Sequence, residues 1–378
     1  MSEPARIPVA HPSITEREGE LAREAALTAW GPDHYRFNAR FEAMFAAYLG
    51  VRHAVSLPHA TAGLHLALAA AGIGPGDEVI VPDITWIASV APVSYVGALP
   101  VLVDILPDTW CLDPRAVAAA IGPRTRAIIG VNLYGSMCDW PALRSLADEH
   151  DLLLVEDAAE ALGSTLNGGQ AGSFGDLGAF SFHASKTLVT GEGGMLVTDD
   201  DHLHARIQQL RDHGRPPGDR RFQNSEVAFK YKMSAVQAAI GIAQMERIDS
   251  LVAFRRQLLA WYRAALSDLA GVTLNAEPPG VENACWMMTA VLDPALGIEK
   301  FTLQDRLSAA GVDSRPFFSR LSTLPAYADL PEAARHLPDV PVGALPATYG
   351  VNLPSGYTMT EPLVARVAEA LRQAIATG

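Results

Sequence analysis

From residue 53 onward, short apolar runs alternate with stretches of helical periodicity, and few folds accommodate that alternation. The runs cover residues 53–57, 78–82, 100–105, 127–132 and 152–156, and helical patterns fill 61–71, 85–97, 113–121 and 139–150. Strands that are apolar throughout are buried on both faces, as in a mostly parallel sheet covered by helices on either side. Further runs at 178–182 and 194–198, with a helix near 201–212, carry this sheet to one large α/β domain over about 50–250. Two helices precede it. The first follows a capping-box pattern, Ser13-Ile-Thr-Glu16, and the second carries Phe37, Phe41, Met44, Phe45 and Tyr48 at three- and four-residue spacing and stops at Gly50. A long helical pattern from 234 to about 269 leads into a strand (285–292), a helix (302–310), a strand (313–318) and a final helix (361–376). The chain therefore divides into residues 1–250, the helices and the large domain, and residues 251–378, a smaller C-terminal α/β domain.

Composition narrows the function classes. With 29 Lys+Arg against 42 Asp+Glu the chain carries −13, and 49% hydrophobic with 19% charged residues is ordinary for a globular protein. Such an acidic surface disfavours nucleic acid and anionic membranes as partners. No apolar stretch is long enough to span a bilayer and the N-terminal residues lack a signal-peptide plan, so a cytoplasmic location is expected. Cys111, Cys138 and Cys285 are odd in number and far apart, which suits reduced buried thiols and neither a disulfide framework nor a zinc site. No metal site is expected, His202-x-His204 pointing apart on its helix.

Several familiar motifs fail on context. Gly72-Ile-Gly74-Pro-Gly76 lies between a helix and a strand, the reverse of a dinucleotide loop, and Ser185-Lys186-Thr187 lacks the glycine frame of a P-loop. What remains gathers at strand ends, where open α/β sheets bind ligands. Asp157 closes the run 152–156, and Lys186 follows the run 179–182. Pyridoxal phosphate needs such a pair: a Lys amine for a Schiff base and an Asp that keeps the ring nitrogen protonated. Taken alone, the pair is weak evidence, since an arbitrary Lys is usually a solvated surface residue and a strand-end Asp is often a helix cap. Thr61, opening a helix after the first strand, could offer its hydroxyl and free amides to a phosphate or serve as an N-cap, and Trp86 could stack on a ring or pack in the core.

The runs TAGLHLALAAAGIGPGDEVIVP (61–82), TWIAS (85–89), VEDAAEALGS (155–164), GSFGDLGAFSFHASKTLVTGEGGMLVT (172–198) and KYKMSAVQAAIGIAQMERID (230–249) resemble the DegT/DnrJ/EryC1/StrS family of pyridoxal-phosphate sugar aminotransferases, over nearly the whole chain. SKTLVTGEGGMLVT and YGVNLPSG (349–356) are most similar to perosamine-synthase-like members. The resemblance implies a fold-type-I architecture with a seven-stranded-type sheet, and a homodimer whose two sites lie at the subunit interface. It implies that Lys186 is the Schiff-base residue, Asp157 the partner of the pyridine nitrogen, Glu160 a contact of the ring hydroxyl and Trp86 the stacking aromatic. Thr61, Ala62 and Ser181 match phosphate contacts.

Two departures stand out. Lys230 occupies the place of an Asn that reaches across the dimer, replacing a neutral amide by a charge, and the phosphate loop has Ala60 where relatives favour Gly, excluding a positive φ there. Lys186 itself favours transamination over the dehydration run by relatives with His in its place. The implied reaction moves an amino group from a donor, L-glutamate by resemblance, to a nucleotide-linked 4-keto-6-deoxy sugar. Cyclitol transamination is the alternative within the class, TWIAS and DTWCLDP (108–114) being compatible with it, and a non-catalytic regulatory protein is the alternative outside it. The substrate's diphosphate needs positive charge, for which the basic 211–232 loop offers Arg220 and Arg221. Arg315 is a second candidate for an anion or a structural ion pair, and His183 for a substrate contact or a wall residue.

Overall fold

The structure is a computed structural model that describes residues 6–216 and 218–376. Among these, the large sheet has eight strands. Seven follow the sequence rhythm: β1 (His53–Leu57), β2 (Glu78–Pro82), β3 (Leu99–Val103), β4 (Thr125–Val131), β5 (Leu153–Asp157), β6 (Leu177–Ser181) and β7 (Gly194–Thr198). Their order is β1-β7-β6-β5-β4-β2-β3. β7 pairs antiparallel with β1 and β6, while β3, β2, β4, β5 and β6 pair in parallel. Val79, Ile80 and Val81 are fully buried in succession, because helices cover both faces of the sheet. The eighth strand, Arg335–His336, arrives from the C-terminal half and pairs in parallel with β3.

Helices α1 (Glu16–Thr28) and α2 (Arg36–Leu49) precede the sheet, and α2 ends on Gly50 in the left-handed conformation. The capping box of α1 is formed by Thr15 and Glu18, not by Ser13 and Glu16. That register puts Leu21 and Ala25 into the core and Glu18 against Arg247, whose guanidinium lies 2.8 Å away. Helix α3 (Ala60–Ala70) follows β1 directly. The expected helix over 85–97 is instead a 3-10 turn, Ile87–Ser89, and a short helix, Ala91–Tyr95, that restarts with Pro92 in its first turn; proline is tolerated there and breaks a helix interior.

The long pattern after 234 splits into α4 (Ala235–Met245) and α5 (Ile248–Ala265), because Arg247 leaves helical geometry and turns back to Ser13 and Glu18. Among the described residues, four antiparallel strands form the second sheet, in the order β8 (Val272–Leu274), β9 (Met288–Leu292), β11 (Gly350–Leu353), β10 (Arg315–Pro316). The strand expected over 313–318 is thus only two residues long, and Phe317 and Phe318 beyond it turn toward a cleft between the sheets. Leu258, Tyr262, Met288, Leu303, Val351 and Leu371 build the core of this half, and Ile7 joins it, bridging to Val312. No helix among the described residues is long and apolar enough to cross a membrane, and all three cysteines are buried and free.

Candidate active site

The C-terminal ends of β2, β5 and β6, the start of α3 and the segment after β10 enclose a cleft of about 620 Å³. The cleft brings together Ala60, Thr61, Trp86, Asp157, Glu160, Ser181, His183, Lys186 and Arg315 of the residues singled out from the sequence. Asp157 is buried at the end of β5 and accepts the Ala159 amide at 3.0 Å. Burial pushes its carboxyl up, and hydrogen bonds from Ser89 and Ala159 oppose this. Ser89 is in turn 3.1 Å from the Thr85 hydroxyl. Lys186 Nζ lies 3.3 Å from Glu160 Oε1, and Glu160 also accepts the Tyr134 amide at 2.9 Å. Burial drives both partners toward their neutral forms, raising Glu160 and lowering Lys186, while their mutual attraction opposes it. A lysine whose pKa is lowered this way has more of its amine free as a nucleophile at neutral pH.

At the start of α3 the N-cap is His59, not Thr61: its Nδ1 accepts the Ala62 amide at 3.0 Å. The His59 ring is therefore neutral at Nδ1, and partial desolvation keeps its pKa low. The Ala60 and Thr61 amides precede the first intrahelical acceptor and face the cleft end of the helix. Ala60 lies within the helix and is not among the residues with positive φ, so this helix start does not call for glycine at that position. The close approach is met from the other side: a Cβ on Gly194 would stand 2.6 Å from the Ala60 nitrogen.

Ala62 is buried within the helix start and does not line the cleft. Trp86 is 57% exposed, with its ring centroid 5.7 Å from that of Phe318. His183 is exposed and bonded to the Ser185 hydroxyl at 3.1 Å. Arg315, exposed at the rim, makes no ion pair among the described residues.

Lys230, Arg220 and Arg221 do not line the cleft of their own chain. Lys230 is 3.7 Å from Asp212 with its side chain 58% exposed. The positive charge of 211–232 is smaller at the surface than the sequence suggests, because Arg211 is buried against Glu42 and Tyr35, and Lys232 is paired with Asp212 at 2.6 Å. The cleft also holds residues that the sequence reading passed over, namely His59, Ser89, Trp286 and Phe318. His59 carries a signal, a polar residue directly before a helix. Trp286 carries none, since it reads as one more apolar residue of a strand.

Comparison with known proteins agrees with this geometry. A model of the DegT/DnrJ/EryC1/StrS aminotransferase family matches residues 12–372. A GDP-perosamine synthase of Caulobacter vibrioides is 42% identical over 376 residues, 99% of this chain and 100% of that protein. Among solved structures, DesI in the presence of its TDP-sugar product superposes with a TM-score of 0.88 at 36% identity, covering 98% of this chain and 93% of DesI. The PLP form of Streptococcus pneumoniae Spr1654 reaches 0.89 at 27% identity, over 98% of this chain and 99% of that one.

Proposed function

The chain belongs to the DegT/DnrJ/EryC1/StrS aminotransferase family, a pyridoxal-phosphate-dependent sugar aminotransferase, and from that premise we propose that it aminates the 4-keto group of a nucleotide-linked 6-deoxy sugar with L-glutamate as donor. The observation that carries this reading is the largely buried Lys186–Glu160 pair at 3.3 Å, sharing one cleft with Asp157 and the open amides of α3. A similar GDP-perosamine synthase and a neighbour solved in the presence of its TDP-sugar product support the nucleotide-sugar class.

The residues present fit the cofactor. The Ala60 and Thr61 amides and the Thr61 and Ser181 hydroxyls would hold its phosphate at a helix N-terminus, Trp86 would cover its ring, and Asp157 would pair with the ring nitrogen. When bound, pyridoxal phosphate supplies an electron sink that makes an adjacent C–H acidic. Lys186 Nζ would hold the aldehyde of that group; when the amine is free, Nζ can accept the proton of the donor's Cα and return it within the cleft, and can move a proton in the opposite sense for the sugar. Asp157, held by Ser89 and the Ala159 amide, would meet the ring nitrogen as a carboxylate, the positive charge there opposing the burial that raises its carboxyl. Glu160 orients the Lys186 amine through their hydrogen bond. Arg315 at the rim offers a guanidinium to a carboxylate or phosphate. Two subunits would share each site, with Lys230, Arg220 and Arg221 serving the cleft of a partner.

A visible spectrum tests this. Full-length protein given pyridoxal phosphate should develop an absorption band that L-glutamate bleaches and a nucleotide-linked 4-keto-6-deoxy sugar restores, and Lys186→Ala should lack the band. A band bleached by glutamate but restored by no nucleotide sugar would overturn the substrate class, and a band surviving in Lys186→Ala would overturn the role of Lys186.

A further inference from the structure

Trp286 comes from the C-terminal half of the chain, in the segment leading into β9, yet its ring lies against the side chain of Lys186. Lys186 Nζ stands 3.4 Å from the Trp286 ring centroid, inside the range where an ammonium over an indole face is attracted by the ring quadrupole. The same indole donates its Nε1–H to the Ser185 carbonyl at 2.7 Å, so Trp286 grips both the backbone next to Lys186 and the amine. Trp286 is 6% exposed.

Its seat is rigid. Tyr134 stacks on it with centroids 6.0 Å apart and planes 22° from parallel, and Cys285 before it is held at φ +52° by the Asn283 carboxamide oxygen, which accepts the Cys285 amide at 2.6 Å. Tyr134 is also at φ +52°. Side chains adopt this region only when their surroundings impose it. Between these two turns, Gly135 leaves no room for a Cβ, which would lie 2.9 Å from the Cys285 nitrogen. Tyr134 in turn gives its amide to Glu160. One packed unit therefore carries both groups that attend the free amine, a carboxylate on one side and an indole face on the other.

We propose that Trp286 is a positioning residue for Lys186: its ring is the resting place of the lysine ammonium whenever the amine is free of the cofactor, and its hold on the Ser185 carbonyl makes the reactivity of Lys186 depend on the seating of the C-terminal half. This rests on the reading of Lys186 as the cofactor-binding lysine. The other charged or titratable groups near the amine are Glu160, Asp157 and Arg315, with His59, His183 and Glu192 lining the same cleft and the Tyr134 ring buried against Trp286. They are the same in wild type and in a Trp286 variant, so a difference between the two isolates the indole. A ring that stabilises the charged amine raises the pH at which Lys186 becomes nucleophilic, in opposition to the burial that lowers it.

The test uses full-length protein loaded with pyridoxamine phosphate, in which Lys186 is free, and follows its acylation by acetic anhydride against pH, site by site, by mass spectrometry. Trp286→Leu should move the Lys186 midpoint down by roughly 0.5 to 1 pH unit, and Trp286→Phe, which keeps a ring but loses the N–H, by less. The midpoints of Lys232 and Lys300 should stay put. An unchanged Lys186 midpoint in both variants, or an equal shift at all three lysines, would overturn the proposal. The readout is independent of whether Lys186 binds the cofactor: a midpoint shift alongside a visible band that survives Lys186→Ala would sink the cofactor role and leave the coupling intact.

Discussion

Glu156 and Asp157 are neighbours on β5, so strand alternation sends them to opposite faces. Asp157 lines the cleft, while Glu156 is fully buried and accepts hydrogen bonds from Asn132 and the Gly172 amide, both at 2.6 Å, and from the Phe174 amide at 3.0 Å. Burial pushes Glu156 up to about 7 despite these donors. A carboxyl raised in the folded state binds its proton more tightly there than in the unfolded chain, so its contribution to stability is present at low pH. It is lost as pH rises from the unfolded value, about 4.3, through 7. We expect the stability difference between wild type and Glu156→Gln to shrink by on the order of 3 kcal/mol between about pH 5 and about pH 8, measured by urea unfolding of both proteins at each pH. His59, His65 and His204, which burial keeps low, titrate nearby but cancel in the difference. A pH-independent difference would refute the assignment. At this scale Asp157 and Lys186 were legible because each follows an apolar run, which fixes a strand end and hence a place at the cleft. Glu156 was not, since whether a carboxylate beside such a site is bound by amides depends on a turn, 172–174, whose path no local pattern encodes.

Helix α1 shows why an element can be read correctly and its anchoring missed. The residues before it contain two overlapping Ser/Thr-x-x-Glu patterns, and local chemistry does not rank them; the choice falls to Thr15 because Glu18 then meets Arg247 and Gln244 from the α4–α5 junction. The same Arg247 breaks what periodicity shows as one long helix. Burial would raise Glu18, but hydrogen bonds from Thr15 and Arg247 outweigh it and hold the carboxyl at about 2. A depressed carboxyl stabilises the fold above its unfolded pKa and loses that contribution as pH falls through its folded one. Glu18→Gln should therefore cost roughly 2 kcal/mol near neutral pH, with the cost fading between about pH 4.3 and about pH 2. Thr15→Ala should cost about 1 kcal/mol for the lost cap. Thermal unfolding of the two variants checks both, and an effect of Glu18→Gln that persists undiminished in acid would show that packing, not charge, is at stake.

The whole molecule is less divided than the sequence rhythm implies. Ile7 completes the core of the C-terminal half, and the segment from Arg320 to Val342 returns to the large sheet, where Asp83 accepts the Ser322 amide and the Arg320 guanidinium, and Asp104 accepts the Val342 and Gly343 amides. Such returns rest on single strand-end aspartates, which no periodicity marks. The same limit applies to assembly. Lys230 stands off the cleft of its own chain with most of its side chain in the open, a poor place for a cofactor contact unless the cleft it serves is a partner's. In a twofold dimer each site would then draw Lys186 from one subunit and Lys230 from the other. Lys186→Ala and Lys230→Ala should each abolish or strongly reduce turnover. When the two inactive proteins are mixed in equal amounts and allowed to exchange subunits, half of the dimers pair unlike chains, and each of those regains one intact site. Activity should recover to about a quarter of the wild-type value. If Lys230 acted within its own chain, no exchanged dimer would contain an intact site and the mixture would stay as inactive as its parents. Full activity in Lys230→Ala alone would remove the residue from the site altogether.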